Sequence, residues 1–274
     1  MKDFAGRIAV ITGGGTGMGR ELARQLVAEG CHVAMCDVSE RNMAETIALC
    51  EQDRAPQGAR ITAHLADVSQ EDQLVRFRDE MAQAHDTDKL HLLFNNAGIG
   101  RGGPFIDQPW QDVLDVVNIN FVAVLSGIHL AAPLLKATPN SLCFTTSSSS
   151  AIFGIPNIAV YSATKHAVKG LTEALSVELR AHGVRAADTL PGMIDTPILP
   201  DEAKANAPTE GMWRLTPPRE VAEAVWGAYH SDKIHWYVPA ELEAYDAMQT
   251  QAPETIRDQM LTMGGLFSQG SETT

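Results

Sequence analysis

Tyr161 and Lys165 stand four residues apart in Tyr161-Ser162-Ala163-Thr164-Lys165, a spacing that puts both side chains on one face of a helix. A phenol has an ordinary pKa of about 10, and a neighbouring ammonium favours its ionised form, bringing it toward general acid/base work near neutral pH. Taken alone, the spacing equally describes a packed aromatic ring beside a solvated lysine. A second cluster, Thr12-Gly13-Gly14-Gly15-Thr16-Gly17-Met18-Gly19, follows a short apolar run and opens a helical pattern. Glycines there permit positive φ and let a pyrophosphate approach the backbone, while the free N–H groups of the helix start face the anion. A glycine run by itself is a flexible turn, but a strand before it and a helix after it, in the first β-α unit, favour a cofactor site.

Asp37 closes the second apolar run, 18 residues after Gly19. A carboxylate there can accept hydrogen bonds from both ribose hydroxyls of NAD and repels the extra phosphate of NADP. No Lys or Arg lies in the glycine loop and Val38 follows the aspartate, which favours NAD, while Arg41 softens the preference. The alternative role for Asp37 is to cap a helix beginning near Ser39. Asp67, after the third run, can accept from the adenine amino group or cap a helix starting near Gln70.

The elements that must hold these residues are short Val- and Ile-rich runs alternating with longer helical patterns. Strands are expected at Arg7 to Thr12, His32 to Asp37, Arg60 to Leu65, His91 to Asn95, Ser141 to Ser147, Val184 to Leu190 and Ile234 to Val238. Helices are expected at Gly19 to Glu29, Gln70 to Gln83, Val113 to Leu135, Ala159 to Ala181 and Arg219 to His230. Strands apolar on both faces and separated by helices predict an α/β fold, a doubly wound parallel sheet covered on both sides, with its ligand beyond the carboxyl ends of the strands. The prolines from Pro191 to Pro218 predict a loop region that closes over something.

The 274 residues are 45% hydrophobic and 20% charged, the composition of an ordinary globular protein. A chain of about 300 residues buries roughly three quarters of the surface it exposes when unfolded, so one domain over 1–274 needs no disulfide or metal support. A formal charge of -13, from 21 Lys plus Arg against 34 Asp plus Glu, argues against nucleic acid as a partner. Cys31, Cys36, Cys50 and Cys143 form neither a C-x-x-C pair nor a zinc-like cluster and read as buried, reduced thiols in a cytoplasmic protein. The nine histidines show no ligand spacing, so no metal is expected, and His166 beside Lys165 is turned off the tyrosine face. No signal peptide is read in the N-terminal residues, and the tail from Gly264 is expected to fray. Val116 to Leu135 is uncharged and long enough to span a bilayer, but Asn118, Asn120, Ser126 and His129 are costly in lipid. It is expected to be a helix buried in protein, partly against another subunit, with no membrane partner.

These motifs, in this order and spacing, resemble the short-chain dehydrogenase/reductase family. The resemblance covers residues 7 to about 197 and rests on the TGxxxGxG loop at Thr12 to Gly19, Asp67, the tetrad Asn95-Asn96-Ala97-Gly98, Asn120, a serine before Tyr161-x-x-x-Lys165, and Pro191-Gly192 with Thr196. It implies a Rossmann-like NAD enzyme interconverting a secondary alcohol and a ketone. Tyr161 would exchange a proton with the substrate oxygen, Lys165 would hold the nicotinamide ribose and lower the tyrosine pKa, and one of Ser147 to Ser150 would orient the substrate. The family's serine lies thirteen positions before its tyrosine, which selects Ser148. Asn120 matches the family's helix asparagine, which anchors a water leading to the lysine, because Pro133 then falls where the family often has a proline; Asn118 is the fallback. Thr12, Gly13, Thr16, Gly17, Met18, Gly19, Asp37, Asp67, Val68, Asn95, Asn96, Ala97 and Gly98 would hold the cofactor. Pro191, Gly192, Ile194 and Thr196 would contact the nicotinamide carboxamide.

The chain departs from the family where an asparagine often precedes the Pro-Gly pair, reading instead Arg185-Ala186-Ala187-Asp188-Thr189-Leu190. A lid over about 195–217 is implied, with Trp213 in it, whereas Trp226 and Trp236 read as core or interface residues. Phe153, Ile155, Pro156, Met193, Ile194 and Trp213 are candidate walls for an apolar small-molecule alcohol or ketone. A homodimer or homotetramer is expected through Val113 to Leu135 and Ala159 to Ala181. The competing expectation is an NAD-binding regulatory or structural protein of the same fold with little turnover.

Overall fold

The structure, a computed structural model, describes residues 4–53 and 58–262; the tail expected from Gly264 lies outside them. The elements run β1 (Ile8–Thr12), α1 (Gly17–Ala28), β2 (His32–Asp37), α2 (Glu40–Asp53), β3 (Ile61–Leu65), α3 (Glu71–His85), β4 (Leu92–Asn95), α4 (Trp110–Val117), α5 (Ala123–Lys136), β5 (Ser141–Thr146), α6 (Ala159–Glu178), β6 (Val184–Pro191), α7 (Asp201–Ala205), α8 (Pro218–Tyr229), β7 (His235–Val238), α9 (Leu242–Gln251) and α10 (Pro253–Thr262). Among the described residues the strands form one seven-stranded sheet in the order β3-β2-β1-β4-β5-β6-β7. Every neighbouring pair is parallel. The strand order reverses between β1 and β4, which opens a crevice at their carboxyl ends.

Alternate residues of a strand face opposite sides of the sheet, and both sides here are buried. Ala9, Ile11, Leu92, Phe94 and Phe144 pack with Leu22, Leu26 and Val225 on the α1–α8 side. Ile8, Val10, Leu93 and Cys143 pack with Phe77, Val124, Leu135 and Val168 on the α3–α5–α6 side. All four cysteines are free and buried, and burial raises each thiol above its ordinary pKa.

The single helix expected over Val113 to Leu135 is instead two helices joined through a π-helical turn at Asn118–Val122. That turn brings in Asn120, which is fully buried. The run Trp110–Lys136 has the length and apolar character of a membrane span, yet only a third (33%) of its most apolar window is buried. It is therefore covered on one side only, leaving Trp110, Leu114, Val122 and Leu125 exposed. The proline-rich region folds back on itself through a parallel bridge between Ile194 and Thr216.

Candidate active site

The glycine loop is shaped by close approaches. Gly17 has φ +53, open to glycine without strain, and a Cβ there would lie 2.8 Å from Thr196 Cγ2. At Gly19 a Cβ would come within 2.2 Å of the Gly13 carbonyl oxygen, so any side chain would force the loop off the helix. Thr16 precedes α1 in extended conformation with no side-chain cap bond, which leaves the first helical N–H groups for an anion. Thr12 Oγ1 accepts from the backbone N–H groups of Asn96 (3.0 Å) and Ala97 (3.1 Å). The Asn96 amide donates back to the carbonyls of Thr12 (3.1 Å) and Gly13 (3.2 Å). The side chain of Asn96 thus staples the end of β4 to the loop, and that of Asn95 is buried against Gly127. Of the tetrad, Ala97 lies against Gly13, where a Cβ would come within 2.9 Å of the Ala97 Cα, and Gly98 lies beside Asn120 and Lys165.

Asp37 Oδ2 accepts from Gly15 N–H at 2.9 Å and Oδ1 from Ser39 N–H at 3.1 Å. Ser39 Oγ accepts from Asn42 N–H at 3.3 Å, so Ser39 serves the start of α2 and Asp37 is tied to the glycine loop. The carboxylate keeps acceptor capacity beyond these two bonds. The sequence did not single out Arg20, which donates to the Gly15 carbonyl at 2.6 Å and pairs with Glu45 at 3.1 Å. That guanidinium fixes the loop from behind, and Glu45 offsets its charge. Asp67 Oδ1 accepts from the N–H (2.9 Å) and hydroxyl (2.7 Å) of Ser69 in the turn before α3, while Val68 packs on the neighbouring core. A dinucleotide fits this set: a glycine-rich loop, helix N–H groups left without a side-chain cap, and a carboxylate held beside Gly15.

The candidate acid/base groups converge at the end of β5. Lys165, on α6 and buried, donates to the Thr146 carbonyl at 2.8 Å. Its ammonium lies 5.4 Å from the centre of the Tyr161 ring, one turn earlier. Burial pulls Lys165 down to about 8. Burial pushes the Tyr161 phenol above its ordinary value, with a hydrogen bond to Ser148 acting against that rise. Among the serines, Ser148 bonds the phenol, Ser147 turns to the Lys165 backbone, and Ser150 Oγ is buried without a partner. Asn120 Oδ1 accepts from Ile99 N–H and its amide donates to the Ile99 carbonyl, both at 2.9 Å. A Cβ on Gly98 would lie 3.3 Å from Asn120 Oδ1 and 3.9 Å from Lys165 Nζ, which places Asn120 beside the pair. Asn118 is exposed and His166 bonds Ser162 O; neither reaches it.

Past Pro191, a Cβ on Gly192 would meet Leu242 at 3.4 Å and the Met212 carbonyl oxygen at 3.5 Å, Ile194 packs with Met18, Val221 and Val238, and Thr196 abuts Gly17. Met193 bonds Thr216 through the backbone, which holds the returning strand of the proline-rich region. Phe153 and Trp213 pack with Leu190, Leu242, Tyr245 and Ile256, Trp213 edge-on to Tyr245 at 5.5 Å. Helices α9 and α10, which the sequence did not disclose, therefore back the wall of which Trp213 is part. Trp226 and Trp236 pack against the α1–α8 core. Where the usual asparagine is missing, Asp188 is fully buried and its Oδ1 lies 2.8 Å from His235 Nδ1 on β7.

The family model for short chain dehydrogenases matches residues 7–207. Levodione reductase of Leifsonia aquatica is 33% identical over 221 residues, covering 80% of this chain and 79% of that protein. Cyclohexanol dehydrogenase of an Acinetobacter species is 30% identical over 231 residues, covering 81% and 87%. In three dimensions the chain is similar to a short-chain dehydrogenase/reductase from Burkholderia phymatum in complex with NAD, with TM-score 0.80 and 27% identity over 93% of this chain and 96% of that one.

Proposed function

Because the chain belongs to the short-chain dehydrogenase/reductase family, we infer that the crevice beyond β1, β4 and β5 is the active site of an NAD-dependent oxidoreductase interconverting a secondary alcohol and a ketone. The observation that carries this reading is the meeting of Ser148, Tyr161 and Lys165 between β5 and α6, beside Asn120 and the glycine loop. NAD, when bound, takes up or supplies the hydride. Gly13 to Gly19 and the start of α1 hold its pyrophosphate, Asp37 its adenosine ribose, Asp67 and Val68 its adenine side, Ala97 and Gly98 its adenosine side, and Ile194 and Thr196 its carboxamide. Ser148 orients the substrate oxygen. Tyr161 donates a proton to that oxygen during reduction and removes it during oxidation. Lys165 holds the nicotinamide ribose and favours the phenolate electrostatically, with Asn120 on the path that returns the proton.

The test is a panel of secondary alcohols and ketones followed at the nicotinamide absorbance with NAD and NADP side by side. The walls at Phe153, Met193, Ile194 and Trp213 support an apolar substrate, of the kind a cyclic ketone represents. Absence of turnover across such a panel, with NAD bound, would leave a cofactor-binding protein without the chemistry. Asp37→Ser is expected to lower NAD efficiency and raise NADP efficiency, since it removes both a ribose acceptor and a repelling charge. Equal use of both cofactors by the unaltered protein would refute the role given to Asp37.

The exposed apolar side chains Trp110, Leu114, Val122 and Leu125, with Val177 on the adjacent α6, support a second copy of the chain seated across α4 to α6. Light scattering is expected to show a dimer or tetramer that Leu125→Glu shifts toward monomer; a monomeric parent protein would remove the proposal. Four buried, reduced cysteines suit a cytoplasmic setting.

A further inference from the structure

Two successive residues at the end of β5 reach Lys165 from opposite ends. The Thr146 carbonyl accepts from its ammonium at 2.8 Å, and the Ser147 hydroxyl donates to its backbone carbonyl at 2.9 Å. Ser147 is fully buried, and its own N–H donates to the Thr189 carbonyl on β6 at 2.9 Å. Its position is therefore fixed by the sheet. A carbonyl in the middle of a helix already accepts from the N–H four residues on, so the bond from Ser147 is not needed to satisfy Lys165. What it adds is location: a point of α6 is pinned to the end of a central strand.

We propose that Ser147 is a positioning residue for the acid/base pair, its hydroxyl setting the depth at which α6 meets β5 and hence the places of the Lys165 ammonium and the Tyr161 hydroxyl one turn earlier. This rests on the roles assigned above to Tyr161 and Lys165. The bonds of Ser147 go to the backbone carbonyls of Lys165 and Thr189, neither of them a reacting atom. Its effect passes through the helix. The serine run that is ambiguous in sequence then divides its labour: Ser148 faces the substrate oxygen and Ser147 faces the helix that supplies the proton.

Ser147→Ala removes the donor, and Ser147→Cys keeps nearly the same volume with a much weaker donor. Both are expected to lower kcat about fivefold to tenfold, the size of one buried hydrogen bond, with KM little changed. The acid limb of alcohol oxidation should move up by about half a pH unit as the phenolate loses its tuned neighbour. Independently of turnover, NMR titration of 13C-labelled lysine should show Lys165 moving up from about 8 toward its ordinary 10.5 as the pinned packing loosens. NAD affinity, read by fluorescence titration, checks that the crevice is intact.

Variants that lose only melting temperature, with kcat, acid limb and Lys165 titration unchanged, would overturn the proposal. If the alanine variant does not fold, the cysteine variant decides by the same readouts. Tyr161→Phe is measured in parallel. An active Tyr161→Phe sinks the acid/base reading itself, whereas an inactive Tyr161→Phe beside unperturbed Ser147 variants sinks only the positioning role.

Discussion

Tyr161→Phe is expected to lose turnover by about 10²- to 10⁴-fold, the range that a well-placed general acid/base contributes, while binding NAD as tightly as the parent protein. The phenylalanine ring keeps the packing on α6, and the hydroxyl that bonds Ser148 is the one group removed. Stopped-flow turnover and a fluorescence titration with NAD separate the two effects, and a variant of near-normal activity would falsify the assignment. The same geometry sets the pH dependence of reduction. In the role proposed for it Lys165 acts only while charged, and burial has brought it down to about 8. Its ammonium is therefore fully present below that pH and lost above it, so kcat/KM for reduction should decline toward one decade per pH unit beyond about 8.

His235→Leu is expected to cost the fold about 3–5 kcal/mol, the penalty of leaving a buried charge without its partner. Asp188 has no exposure, and its second carboxylate oxygen has no hydrogen-bond partner. Burial pushes the Asp188 carboxyl up, with the His235 hydrogen bond and charge opposing. Burial pulls His235 down, but the bond to Asp188 and the charges of Asp188 and Glu173 outweigh it against Lys169, and the net shift is upward from 6.5. A raised imidazole contributes its full stabilisation below about pH 6.5 and loses it as pH rises through the folded value. Chemical denaturation should therefore show the parent weakening on the alkaline side and the variant lacking that dependence. The double variant Asp188→Leu with His235→Leu should recover most of the loss, since replacing both partners with apolar groups is often neutral. A single variant as stable as the parent would show that the pair contributes nothing.

The sheet was legible because each strand is a short apolar run of its own, and the two-sided burial of Val10 and Ile11 is what such a run implies. Tyr161 and Lys165 were legible because helical spacing fixes their common face, and the glycine loop because its position between strand and helix is local. Contacts distant in sequence were not. Asn96 turning its amide to Thr12 and Gly13 spans more than 80 positions, and Asp188 meeting His235 spans 47; no periodicity announces either. Arg20 acquires its role only where α2 brings Glu45 and Thr46 to it. Helices α9 and α10 escaped notice because what orders Leu242 and Ile256 is the cluster around Leu190, not a pattern of their own.

The widened turn at Asn118–Val122 carries one consequence for how this chain can change over time. A helix with a surplus residue would straighten if one were deleted, and its backbone ladder would gain regularity. The same deletion would leave the flanking turns facing much as they do, since the bulge absorbs the extra residue, but the Asn120 carboxamide could no longer grip both the N–H and the carbonyl of Ile99. Regularity and reactivity are thus set against each other within five residues, so loss of a codon there would be harmless to the framework and ruinous to the chemistry.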